Sequence, residues 1–324
     1  MTATRNLASL SCCCCGNMMK VARSGIWTCA SCGFQSSELQ SGAGTGIDGL
    51  EALRRRNFEI LLARIENIRP LQGLKLLEVG CAKGWFLKAA RQRGAECFGI
   101  EPEEANAAMA REEGYHVETA FFPGSASAHG PFDLIVFNDV LEHIPSPDDV
   151  MRTTASLLAT GGMAVVNLPS SDGVLYRLAS LSARMGQDEL FWRMWQRGFS
   201  SPHISYFNPT NLRMMVERHT PLREVDTFPL KTVSRRGLRD RIRSSHGGPV
   251  GEVLFGGMWT LSFVLDYLPP DIHVGVFEKA AEDGRMSPVA DTSVRTETEA
   301  AQTALTGEPH GRTALIDEGG SRGA

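Results

Sequence analysis

Two Cys-x-x-Cys pairs near the start of the chain, Cys12 with Cys15 and Cys29 with Cys32, have the spacing of a metal centre. Each pair lets two thiolates face one ion, and the glycine that follows (Gly16, Gly33) permits the tight turn that aims them. Four soft sulfur ligands are what tetrahedral zinc prefers, and four thiolates leave no coordination position for a substrate, so the zinc expected here is structural. Cys13 and Cys14 interrupt the first pair, but only Cys12 and Cys15 stand three apart. A run of free cysteines without metal is the alternative, and a doubled Cys-x-x-Cys argues against it. The remaining two, Cys81 and Cys97, fall in apolar stretches.

A second constellation is LLEVGCAKGWF, residues 76–86, which reads as a buried strand, a glycine-framed turn and the start of a helix. Such a turn can cradle a nucleotide. A dinucleotide turn, G-x-G-x-x-G, would place its third glycine where Trp85 stands, and a P-loop needs Gly-Lys-Ser/Thr, whereas Lys83 precedes Gly84. The spacing therefore disfavours NAD, FAD and ATP. Glu101 ends the next apolar run, and Asn138, Asp139 and His143 lie in FDLIVFNDVLEHIPSP (132–147). His203 lies in SPHISYFNP (201–209). His143 and His203 are the candidate bases, although either could simply shape a pocket.

The elements that must position these residues alternate. Residues 74–79, 97–101, a short segment near Val117, 132–138 and 163–169 read as strands; 85–93, 103–113 and 148–158 read as helices. Strands this apolar are buried on both faces, which implies an α/β fold: a Rossmann-like, doubly wound, mostly parallel sheet. Leu50, Leu53, Phe58, Leu61, Leu62, Ile65 and Ile68 mark one face of a helix ahead of it. Residues 171–200, helical and rich in aromatic residues and methionine, suit a lid, and a helix follows at 210–218. Residues 223–233 and 271–280 form an expected antiparallel closing pair, so the last strand is antiparallel. The organisation expected is a zinc-ribbon-like segment at 1–36, a glycine-rich linker at 37–48 and a main domain at 49–280. An insertion at 234–268 lies between the last two strands, and a polar tail without large apolar residues fills 281–324. At 42% hydrophobic and 22% charged residues with net charge −4, the chain has ordinary globular composition and argues mildly against a nucleic-acid partner. The polar N-terminus has no secretion signal, and residues 253–268 are too short for a membrane span, so a cytoplasmic location is expected.

Taken together, EVGCAKG (78–84), Glu101 in GIEP, NDVLEH and PHISYF resemble the class I S-adenosylmethionine-dependent methyltransferases over residues 49–280, with Ala82 in place of the middle glycine. The resemblance implies S-adenosylmethionine as cofactor. Glu78, Gly80, Ala82 and Gly84, with Cys81 inside the turn, would line its methionine part. Glu101 would accept hydrogen bonds from the ribose hydroxyls, and Asn138 and Asp139 would lie at the methionine end. The adenine side is expected near residues 118–122. After the fourth strand the chain lacks the Asn/Asp-Pro-Pro-aromatic motif of nucleobase N-methylation, and no Pro-Cys pair is present for cytosine carbon. A zinc ribbon ahead of this domain resembles bacterial enzymes of sugar, polysaccharide and secondary-metabolite biosynthesis. O-methylation of a saccharide, a glycan or a small natural product is therefore expected, on an acceptor that an anionic carrier could present to Arg235, Arg236 and Arg239. RNA methylation through the ribbon and residues 235–243, and a non-catalytic cofactor-binding module, are the alternatives.

Overall fold

The structure is a computed structural model that describes residues 10–23, 25–40, 42, 51–230, 248, 251–252, 255–257, 259–260 and 268–280. These belong to one compact unit that ends at Ala281. The polar tail, the basic run at 235–243 and most of the expected linker and insertion lie outside the described residues.

Three short strands come first: β1 (Met19–Arg23), β2 (Ile26–Cys29) and β3 (Gln35–Ser37). β1 and β2 form an antiparallel hairpin between the two cysteine pairs, with Lys20 opposite Thr28. Helix α1 (Glu51–Glu66) follows, then β4 (Lys75–Val79), α2 (Trp85–Arg91), β5 (Glu96–Ile100), α3 (Glu104–Glu112), β6 (His116–Glu118), α4 (Ala126–His129) and β7 (Phe132–Asn138). A 3-10 turn at Leu141–His143 leads into α5 (Pro147–Leu157) and β8 (Leu158–Pro169). The expected lid is α6 (Val174–Arg184) with α7 (Glu189–Met194), followed by β9 (Ser205–Tyr206), α8 (Pro209–His219), β10 (Leu222–Leu230) and β11 (Ile272–Lys279).

Seven strands make the main sheet in the order β10-β11-β8-β7-β4-β5-β6. β4 through β8 pair in parallel, and β11 runs antiparallel between β8 and β10, as the closing pair at 223–233 and 271–280 led one to expect. Successive residues of a strand face opposite sides. Leu134 and Val136 of β7 therefore pack with Phe58, Leu61, Leu62, Ile65 and Phe86 from α1 and α2. Ile135 and Phe137 pack with Met151 and Ala155 of α5 and with Leu212, Met215 and Val216 of α8 on the other side. Both faces are covered, which explains why no polar residue breaks Leu134–Phe137.

The N-terminal ribbon has no core of its own. Met19, Cys29 and Phe34 belong to the same buried cluster as Phe207, Leu212 and Met215, and Phe34 meets Phe207 at 4.9 Å between ring centroids. β3 pairs antiparallel with β9, so the ribbon and the segment after the lid form one four-stranded sheet, β1-β2-β3-β9. No helix among the described residues is long and apolar enough to cross a membrane.

Candidate active site

β4 connects onward to β5 on one side, while β7 returns to its other side, so the strand order reverses between the C-terminal ends of β4 and β7. Ligands of open α/β sheets bind at such a switch point. A cavity of about 580 Å³ opens there, large enough for a cofactor with part of an acceptor. Gly80 and Ala82 line it from the turn after β4, Glu101 from the end of β5, and Asn138, Asp139 and His143 from the end of β7. His203 closes it from the segment before β9. Ala120, Phe121 and Phe122 line the side where the adenine end was expected.

The turn is built by local constraints. Gly80 has φ +70°, and a Cβ there would stand 2.5 Å from Cγ2 of Val140, so the position needs glycine on both counts. Ala82 also takes a left-handed conformation, φ 44°, and its N–H donates to Oε2 of Glu101 at 2.9 Å. Oε1 of Glu101 accepts from the Glu103 N–H at 2.9 Å. The carboxylate is thus fixed by two backbone donors, and each oxygen keeps a second lone pair for a ligand. Burial raises its pKa, and the two backbone donors act the other way.

Three residues expected at the cofactor do not line the cavity. Glu78 is buried beneath it, where Oε1 accepts from Nδ2 of Asn138 at 2.9 Å and Oε2 has no partner. Burial, opposed by that hydrogen bond, pushes Glu78 up to about 8. The Cys81 thiol points behind the turn against Gly99, and burial raises its pKa. Gly84 precedes α2, where a Cβ would come within 3.2 Å of Cβ of Ala110 and 3.3 Å of the Tyr115 ring. It is a close-packing position between α2 and α3.

Sequence reasoning missed Arg54 and Glu142. Arg54, on α1, lines the cavity, and its charge favours the ionised forms of Asp139 and Glu142. A helix of amphipathic pattern gave no sign that one of its arginines would turn inward. Glu142 is buried, with neither carboxylate oxygen hydrogen-bonded. Its Oε1 lies 3.9 Å from Nε2 of His143 and 4.0 Å from Nε2 of His203. Burial, then the neighbouring Asp139, raises its pKa well above the usual carboxylate range.

The two histidines differ in what their nitrogens can still do. Nδ1 of His143 lies 2.9 Å from the carbonyl oxygen of Pro202, which can only accept, so Nδ1 carries the proton and Nε2 keeps a lone pair. The Tyr206 hydroxyl donates to the Met194 carbonyl at 2.9 Å, so its oxygen accepts from Nδ1 of His203 at 3.3 Å. Nε2 of His203 then accepts from Nε2 of Gln196 at 2.9 Å. Both nitrogens of His203 are occupied. Burial holds His143 below the usual imidazole value and takes His203 down to about 3.

Away from the cavity, Sγ of Cys12 lies 3.5 Å from Cys32 and Sγ of Cys15 lies 3.4 Å from Cys29, with all four sulfurs within 4.8 Å of one another. Sulfurs bound 2.3 Å from one tetrahedral zinc stand about 3.8 Å apart, so this donor set fits the ion. The N–H groups of Gly16 and Gly33 close the turns onto the carbonyls of Cys12 and Cys29 at 2.8 and 2.9 Å.

A family model described as a methyltransferase domain matches residues 49–219. A ubiquinone biosynthesis O-methyltransferase of Bordetella avium (strain 197N) is 36% identical over 149 residues, which cover 44% of this chain and 59% of that protein. One of the same name from Caulobacter sp. (strain K31) is 33% identical over 106 residues, covering 30% of this chain and 41% of that protein. The chain thus spans about half the length of the curated relatives it matches. Among solved structures, the cyclopropane synthase MmaA2 of Mycobacterium tuberculosis superposes with a TM-score of 0.50 at 15% identity, over 74% of this chain and 90% of that one. At that identity the likeness concerns the fold alone.

Proposed function

The chain belongs to the class I S-adenosylmethionine-dependent methyltransferases, and from that premise we propose that it methylates a hydroxyl oxygen of a small acceptor, a saccharide or a small natural product, with a structural zinc ion held by Cys12, Cys15, Cys29 and Cys32. The observation that carries this reading is the position of His143 at the switch-point cavity, with its Nδ1 donating to Pro202 and its Nε2 free to take a proton. The O-methyltransferase names of the curated relatives support oxygen as the acceptor atom. A cavity of about 580 Å³, with Gln196 and Phe199 from the end of the lid segment in its wall, suits a small molecule better than a polymer.

Glu101 would hold the ribose hydroxyls with its remaining lone pairs, and Gly80 and Ala82 would let the backbone approach the cofactor. Arg54 would pair with the carboxylate of its amino-acid end. The bound cofactor would supply a methyl group on a sulfonium sulfur, positioned in line for the acceptor oxygen to take it, with the neutral thioether as leaving group. His143 accepts the acceptor's hydroxyl proton at Nε2 while Pro202 keeps the ring oriented. His203, with both nitrogens bonded, shapes the acceptor side instead of taking the proton.

The test is calorimetry with S-adenosylhomocysteine, followed by turnover on a panel of hydroxylated sugars and phenols. Micromolar binding that Glu101→Ala weakens by tens of fold, about 2 kcal/mol for lost charged hydrogen bonds, together with label transfer to oxygen, supports the reading. Cofactor binding without transfer to any acceptor would favour a binding module.

A further inference from the structure

The ribbon that carries the four cysteines packs on the segment that brings His203 to the cavity. Strand β3 of the ribbon pairs with β9, Ser36 opposite Ser205 and Gln35 opposite Tyr206. The Ser37 N–H donates to the Ile204 carbonyl at 2.9 Å, and the Ser37 hydroxyl donates to the His203 carbonyl at 3.3 Å. The carbonyl of Cys32, one of the four thiolate residues, accepts from Nδ2 of both Asn208 and Asn211, at 3.3 and 3.1 Å. Those two asparagines also form the capping box that starts α8. From β2, Ile26 packs into the cluster of Tyr176, Phe191, Trp195 and Tyr206. On the far side of β9, the Ile204 N–H donates to the Glu142 carbonyl at 2.9 Å, and the Ser205 hydroxyl reaches the same oxygen at 3.4 Å. An unbroken chain of contacts therefore runs from Cys32 through β3 and β9 to His203, and on to the turn that carries His143.

β9 is only two residues long. So short a strand does not hold its own geometry, and a ribbon of this size needs a metal to be rigid. The cofactor side has other supports: Gly80 and Ala82 follow β4 and Glu101 follows β5, strands of the main sheet that do not pair with the ribbon. We infer that metal bound by Cys12, Cys15, Cys29 and Cys32 fixes His203–Phe207 and the 3-10 turn at Leu141–His143, and so organises the acceptor side of the cavity while leaving the cofactor side to the main sheet. This rests on the methyltransferase reading above for what the two sides bind.

The experiment compares zinc-loaded full-length protein with protein stripped by a chelator under reducing conditions, followed by hydrogen–deuterium exchange and S-adenosylhomocysteine calorimetry. The expected result is one zinc per chain. Its removal should speed exchange at residues 203–207 by about tenfold or more, with exchange at 76–84 and S-adenosylhomocysteine affinity within about threefold of the loaded protein. Because Cys32→Ser removes a metal ligand outright, Asn208→Ala with Asn211→Ala is the companion variant: it keeps all four thiolates, should retain zinc, and should loosen the same residues. Unchanged exchange at 203–207 after stripping, or no retained zinc, overturns the inference. Equal loosening of 76–84 with loss of S-adenosylhomocysteine binding also overturns it, since the metal would then support the whole fold. Failure of the methyltransferase reading shows separately, as no S-adenosylhomocysteine binding to the zinc-loaded protein.

Discussion

Asn138 donates from Nδ2 to Oε1 of Glu78 at 2.9 Å, joining the ends of two adjacent parallel strands beneath the cofactor turn. The second oxygen of Glu78 has no partner, and burial pushes the carboxyl up to about 8. A carboxyl whose folded pKa is raised binds its proton better folded than unfolded. Its contribution to stability is therefore full below its ordinary value, 4.5, and is lost as pH rises from there to about 8. The full loss is on the order of 5 kcal/mol, at about 1.4 kcal/mol per pH unit. Glu78→Gln keeps the shape and removes the titration. The variant should gain stability relative to the parent between pH 5 and pH 8, read from urea unfolding at both values, while S-adenosylhomocysteine affinity stays within about threefold because Glu78 does not line the cavity.

The 2.5 Å approach of Val140 Cγ2 to the place of a Gly80 Cβ separates two reasons for the glycine. Gly80→Ala should abolish measurable S-adenosylhomocysteine binding, because the methyl group meets Val140 and the backbone sits at φ +70°. Adding Val140→Ala removes the clash and leaves the left-handed backbone, which costs about 1 kcal/mol for alanine. The double variant should recover binding to within about tenfold of the parent, by calorimetry. No recovery would mean that the backbone conformation alone excludes a side chain.

How far the sequence went follows from how local each signal is. The run Phe132–Asn138 announced a strand buried on both faces, and the two cysteine pairs announced their own clustering. β8 begins at Leu158, five residues before the apolar run at 163, because Leu158 pairs with Phe132 across an irregular register. That pairing depends on a partner strand and leaves no mark in the residues themselves. Glu78, Cys81 and Gly84 lie within or beside the glycine turn, where spacing alone does not say which side chains reach the cavity. The docking of β3 on β9 joins residues about 170 apart in the chain, and only the assembled fold brings them together.

His143 differs from His203 in having a nitrogen left over, which gives pH dependence a direction. Burial lowers the His143 pKa, while the Pro202 carbonyl and the charge of Asp139 act to raise it and Arg54 to lower it further. Glu142 faces both rings. As the base must be neutral, the rate should rise with pH through a midpoint below the ordinary 6.5 and be flat above it. His143→Asn should lose about 10²- to 10⁴-fold in kcat with S-adenosylhomocysteine affinity unchanged. His203→Gln should raise KM for the acceptor and leave the acid limb where it was. An acid limb that moves with His203 would reverse the two roles.

Arg54 offers the sharpest separation of cofactor contacts, because its expected partner is confined to one end of the ligand. It lines the cavity from α1, on the side of Asp139 and Glu142, and favours the charged form of each. A cofactor carboxylate placed there would pair with the guanidinium in a largely water-excluded site, where removing one partner costs about 2 kcal/mol or more. Arg54→Met keeps most of the aliphatic stem. It should weaken S-adenosylhomocysteine binding about thirtyfold while leaving 5′-methylthioadenosine, which has the nucleoside but no amino-acid carboxylate, within about twofold. Equal weakening of both ligands would show that Arg54 shapes the cavity wall and does not hold a carboxylate.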